Sequence, residues 1–401
     1  MAREVWVTGI GLVSSLGEGI DAHWQALAET EHPKPNVDLN FTPPFGIHPM
    51  VPLNLDSQIP KKSDQRQMEA WQRLGTYAAG LALGDAGIAG NLDILSHTHV
   101  VVAADGGERD VPTDTAILAG LPTASDPAGY LNEHLTNDLR PTLFLAQLPN
   151  LVAGNISIVH KVTGSSRTFM GEEIAGASAM EIAWRRIGAS QGDIFLVGGA
   201  CLAERKDSVL NCALGGALWA GEHKPIWERL EAGGGGMLGS VGAFLILEAR
   251  EHAEARGAKR YARLLDVETD QSRRRPGDVT AKFTRQLDII APAGSPPVSV
   301  LSAATGVGPA TREERDLLAQ LIAAGRVDTV RATGSLLGTA TSATFPATAG
   351  LAALALSRGG FYRSVDATGF ETPKADKPTR IAVTSAGMWR GEGSALFAAI
   401  E

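Results

Sequence analysis

Glu172 and Glu173, followed by Ile174, precede a run of very small residues, Ala175-Gly176-Ala177-Ser178-Ala179, that reads as part of a buried helix. A carboxylate at a helix N-terminus is favoured by the dipole. Of the two cysteines, Cys201 follows Gly198-Gly199-Ala200 and reads as a small buried residue. Two cysteines exclude a disulfide framework and a four-cysteine zinc site. The nine histidines end at His252, leaving the last third with none. His97 and His99 precede a strand, His160 lies in the loop ahead of Gly164, and His223 and His252 read as surface. Their spacings form no metal motif, so neither a metal nor another cofactor is expected.

Positioning these groups requires a frame, and the hydrophobic pattern gives one. Residues 5–8 read as a buried strand running into a glycine bend at Gly9-Ile10-Gly11, followed by a short helix over 21–28. Residues 32–60, rich in proline, read as an irregular excursion tethered by Phe41, Phe45 and Met50. Helices are predicted over 67–86, 173–187, 250–256 and 311–323, and strands over 100–103, 194–197, 241–247, 298–301 and 381–383. The small-residue segment 339–356 matches the texture of 164–187. Strands alternating with helices imply a layered α/β fold, and the repeated plan implies two diverged copies over 1–250 and 251–401.

A formal net charge of -8 argues against a general nucleic-acid surface. The basic run Arg273-Arg274-Arg275 reads as a solvated loop. The N-terminal apolar stretch is too short for a signal peptide, and nothing approaches the roughly 18 apolar residues of a membrane span. A cytoplasmic location is the expectation.

On these residues the chain resembles the β-ketoacyl synthases of the thiolase superfamily. The likeness runs from Val7-Thr8-Gly9-Ile10-Gly11 to the C-terminus. The segment 149–157, Pro-Asn-Leu-Val-Ala-Gly-Asn-Ile-Ser, is similar to the family's dimer-interface segment. The glycine-rich stretch 233–239, the strand after it and Arg256-Gly257-Ala258 follow in the family's order. The resemblance implies a duplicated α-β-α-β-α fold with two mixed sheets around buried helices. It also implies a cysteine nucleophile nine residues after the glycine of a Gly-Ser pair, and counting from Gly164 places Glu173 there. The family's first histidine aligns with Thr305, ahead of Gly306, with Glu313 and Asp316 as acids at the family's spacing. The second histidine and the lysine five residues before it align with Thr339 and Gly334. The last family motif becomes Thr384-Ser385-Ala386-Gly387-Met388-Trp389-Arg390, with Met388 at the gating position. Bulk from Trp389 and Arg390 is expected to narrow the site.

Condensation in this family needs sulfur for acyl transfer and two imidazoles that stabilise the enolate. Threonine cannot carry that proton traffic near neutral pH. The resemblance therefore implies a non-catalytic subunit of the chain-length-factor type. Such a subunit pairs with an active β-ketoacyl synthase, works with an acyl carrier protein and shapes the partner's acyl tunnel through Phe144, Gln147, Leu148 and Asn150. Other readings are an atypical synthase, a malonyl decarboxylase or a homodimeric acyl-binding scaffold. Glu173 itself reads as a first-turn acid paired with Arg390 or Arg167, a mimic of an acylated state, or a residual decarboxylation group, and Glu172 could share any of these roles.

Overall fold

Runs of Val, Ile, Leu and Ala without polar alternation make strands covered on both faces, and most strands here are of that kind. The computed structural model describes residues 3–373 and 377–400. Its main strands are Val5–Ser14 (β1), His99–Ala103 (β2), Ser166–Phe169 (β3), Ile194–Cys201 (β4) and Val241–Ala249 (β5), then Ala262–Asp270 (β6), Val298–Ser302 (β7), Val327–Ala332 (β8), Arg380–Ala386 (β9) and Glu392–Ala398 (β10). From a central seam outward, one half runs β1-β5-β4-β2-β3 and the other β6-β10-β9-β7-β8. In each half the first two pairings are antiparallel and the last two parallel. One strand order and one set of directions thus occur twice. The halves meet where β1 pairs antiparallel with β6 through Val5, Trp6 and Val7.

Helices Ala70–Asp85 (α1) and Leu151–His160 (α2) pack on the outer face of the first half. Glu173–Gly188 (α3) and Thr344–Arg358 (α6) lie between the halves, in the core that also takes inward residues from both sheets. Asp278–Ile290 (α4) and Ala310–Ala323 (α5) cover the outer face of the second half. The result is the expected five-layer arrangement of two mixed sheets and buried helices. Small residues let the central helices approach: a methyl group on Gly176 would lie 2.7 Å from the Ser342 carbonyl oxygen.

Three local expectations are corrected. Gly9 and Gly11 make no bend, because β1 continues through them to Ser14. They allow α1 to sit directly on the strand: a methyl group on Gly11 would be 2.1 Å from the Ala78 carbonyl oxygen. Gly11→Ala is therefore expected to cost about 2 kcal/mol in urea unfolding, since backbone must move from backbone. Second, the 32–60 excursion contains a hairpin, Asp38–Thr42 with Phe45–His48, which pairs onward with Leu238–Gly239. Alternation was too weak there to read as strand. Third, Arg274 is not solvated; it ion-pairs with buried Glu392 and donates to the carbonyls of Gly387 and Gly391.

Candidate functional site

The chain leaves β3 through Met170 and Gly171 and turns sharply into α3. Glu172 takes φ 58° and ψ −138° at the helix N-cap, a region that L-residues rarely occupy. The turn drives Glu173 inward, where it is 1% exposed. Neither carboxylate oxygen has a hydrogen-bond partner, and a methyl group on Gly387 would lie 2.8 Å from its Oε2. Burial pushes the Glu173 carboxyl up to about 7, with the negative charges of Asp105 and Glu172 adding and the nearby amides of Glu173 and Met388 opposing. The ion pair expected for Glu173 is made by its neighbour instead. Arg390 Nε donates to Glu172 Oε2 at 2.9 Å and Nη2 to Oε1 at 3.3 Å, on the half-exposed rim.

Near enough to Glu173 to raise its pKa stands a second acid, Asp105, which follows β2 and belongs to no motif. Asp105 accepts hydrogen bonds from the hydroxyls of Thr341 and Ser342. Thr341 holds φ 31°, and its hydroxyl also lies 3.4 Å from Cys201 Sγ. Burial pushes Asp105 up and Cys201 well up, and Cys212 to about 11 with help from Glu173 and Asp105. Both thiols thus stay protonated at neutral pH and neither is an activated nucleophile.

Two of the other aligned positions, Met388 and Thr305, meet at Gly236. A methyl group there would be 3.3 Å from both Met388 Cε and the Thr305 carbonyl oxygen. Thr305 is fully buried and its hydroxyl accepts the Val307 amide at 3.1 Å. Thr339 is bound through its backbone to Met237 and Gly239. Gly306, at φ 87°, follows Thr305 into the turn. At Gly334 a methyl group would meet Ile226 Cδ1 at 2.8 Å and the Ala304 carbonyl oxygen at 3.1 Å. Met388 is buried with Leu238, Ala217 and Cys212.

Several expected neighbours lie elsewhere. Trp389 is 41% exposed and rests on Gly215, and Arg390 reaches the rim, so neither fills the interior. Glu313 accepts the Gly277 and Thr280 amides at the start of α4, and Asp316 is exposed. The inward acid is Glu314, held by Ser302 and Thr384, because the buried face of α5 carries it. His223 is not a surface residue; it bonds the Ser335 carbonyl at 2.8 Å and faces buried His48. His252 hydrogen-bonds fully buried Glu248. Phe144 is 69% exposed, Gln147 and Asn150 are exposed and Leu148 is half-buried, all at the approach to α2. Among the described residues no group of three or more His, Cys, Asp or Glu could hold a metal, and no helix is long and apolar enough to cross a membrane.

Residues 2–253 match the family described as the N-terminal domain of β-ketoacyl synthase. The chain belongs to the β-ketoacyl synthase family. It is 27% identical to 3-oxoacyl-[acyl-carrier-protein] synthase 2 of Rhizobium meliloti (strain 1021), a match spanning 66% of this chain and 63% of that protein. The corresponding Vibrio harveyi protein is 26% identical over 66% of this chain and 62% of its own length. These matches thus span a little under two thirds of the curated relatives. Among solved structures, the ishigamide ketosynthase/chain length factor superposes with a TM-score of 0.80 at 19% identity, covering 100% of both chains. A β-ketoacyl synthase from Burkholderia phymatum STM815 gives 0.79 at 17% identity, again over 100% of both. These superpositions show the fold alone, over the whole of the chain given.

Proposed function

We propose that this chain is a non-catalytic ketosynthase-like subunit that pairs with an active β-ketoacyl synthase in fatty-acid or polyketide elongation. One observation carries the reading: the head of the central helix presents a buried, unpartnered carboxylate where the family's chemistry begins with sulfur. Thr305, Thr339 and Gly334 support it, because none can stabilise an enolate as imidazole or ammonium would. The half-division at about residue 250 and a cytoplasmic location belong to the same proposal.

The pairing surface in this reading is the outer edge of the first half. The edge strand β3 carries exposed Ser166 and Arg167, and Phe144, Ile158 and Met170 expose large apolar side chains. Apolar side chains beside an unpaired strand edge are a liability unless covered. Phe144, Gln147, Leu148 and Asn150 would then reach the partner's acyl tunnel, with an acyl carrier protein delivering the chain.

The test is co-purification with an active synthase, then malonyl-dependent condensation with and without this chain. The expected result is a stable heterodimer whose product lengths shift when Phe144 is changed to Ala. Equal rates and equal product lengths in both reactions overturn the reading. A residual decarboxylation role has one specific observation in its favour: a carboxyl titrating near 7 can deliver a proton at neutral pH. Release of carbon dioxide from malonyl-carrier protein by the isolated chain, lost in Glu173→Gln, would establish it.

A further inference from the structure

Beside the end of β8 a cavity of about 400 Å³ opens to solvent, a size that takes a small organic molecule. Its wall includes Arg331, Arg363, Phe361, Tyr362, Ser364 and Glu31. None of Glu173, Thr305 or Thr339 lines it. Arg331 is 6% exposed, and the surrounding backbone holds its guanidinium in one place. Nε donates to the Tyr362 carbonyl at 2.8 Å. Nη1 donates to the carbonyls of Val330 and Thr372 at 2.6 and 3.0 Å, and to Thr329 Oγ1 at 3.0 Å. The Phe361 ring lies against it, with the centroid 5.5 Å from Cζ. Nη2 has no hydrogen-bond partner among the described residues and is not an enclosed atom, so its N–H groups remain for the cavity that Arg331 lines.

Arg363 adds a second guanidinium to the wall. It is exposed, and Nε donates to the Ala28 carbonyl at 3.1 Å. Its two Nη groups have no partner, and neither arginine forms an ion pair, among the described residues. The nearest acids are engaged elsewhere. Burial lowers the Arg331 pKa while the charges of Glu371 and Asp366 oppose it, yet neither carboxylate touches the guanidinium. Glu371 accepts the Ala332 amide and the Trp227 indole N–H. Asp366 accepts from the Thr368 hydroxyl and the Phe370 amide. Glu31 is the acid of the wall itself, and it is exposed. Two cations against one carboxylate leave the lining net positive.

We propose that this cavity binds the phosphate group of a small phosphate monoester. A tetrahedral phosphate presents oxygens to both guanidinium groups at once, whereas a planar carboxylate fills a single fork. A free phosphate would leave much of the cavity empty, and the organic part of an ester occupies it. The site stands whether or not a synthase partner exists.

Isothermal titration of the full chain with glycerol 3-phosphate, inorganic phosphate and acetate tests the site. The expected result is one-site saturation by glycerol 3-phosphate, weaker saturation by inorganic phosphate and none by acetate. Arg363 is exposed, so Arg363→Gln should fold normally and bind about tenfold more weakly. Arg331→Gln should abolish binding, and Glu31→Gln should tighten it. Four results each overturn the proposal: no saturation by glycerol 3-phosphate, equal binding of acetate, inorganic phosphate bound as tightly as the ester, or unchanged affinity in Arg363→Gln. Should Arg331→Gln fail to fold, crystals of the unaltered protein soaked in glycerol 3-phosphate decide its part. Density within hydrogen-bond distance of Nη2 is expected, and a guanidinium contacted only by protein or water overturns the site.

Discussion

Glu173→Gln is expected to stabilise the folded chain at pH 8 by about 3 kcal/mol and to change it little at pH 4.5. The sign follows from burial. The folded-state carboxyl is raised from 4.5 to about 7, so the unfolded chain gives up its proton first as pH rises. Between those values each unit of pH costs the folded state about 1.4 kcal/mol, and the loss levels off above about 7. An amide cannot ionise, which removes that slope. Urea unfolding at pH 4.5, 6 and 8 measures it; parallel pH profiles for the two proteins would show that Glu173 finds partners in solution that the fold does not provide.

Glu248→Ala should act in the opposite direction, with a loss of about 4 kcal/mol at neutral pH. Glu248 on β5 is fully buried and accepts from Thr8, Arg256 and His252. Burial alone would raise its pKa, but Arg256, His252 and Thr8 together outweigh burial and lower it. Its contribution is therefore fully present above about 4.5 and is lost as pH falls through the folded-state value. His252 is raised by the same hydrogen bond, so its titration by NMR should move to lower pH in Glu248→Ala. An unmoved His252 together with unchanged stability would mean the cluster is not formed. Two buried acids in one chain thus pull its pH profile in opposite directions, one partnered and one not.

Much of the frame was legible because hydrophobic runs and glycine stops are local signals. The predicted strand at 298–301 became Val298–Ser302, and the helix at 311–323 became Ala310–Ala323. The length of β1 was not legible, since glycine reads as a bend until a helix is known to press on it. The hairpin beginning at Asp38 was also hidden, because its onward partner Leu238 lies two hundred residues away.

By itself, the sequence determined the duplicated plan, the absence of histidine after His252 and the acid at the head of α3, all properties of residue type and order. The tertiary structure alone decided which acid is paired: Arg390 could equally have served Glu172 or Glu173, and only the turn at Glu172 directs one carboxylate to the rim and the other inward. It also decided that Asp105, Thr341 and Cys201 share a wall and that Arg331 and Ala28 line one cavity. Those contacts join segments far apart in the chain, and the cost of burying charge depends on surroundings that no local pattern contains.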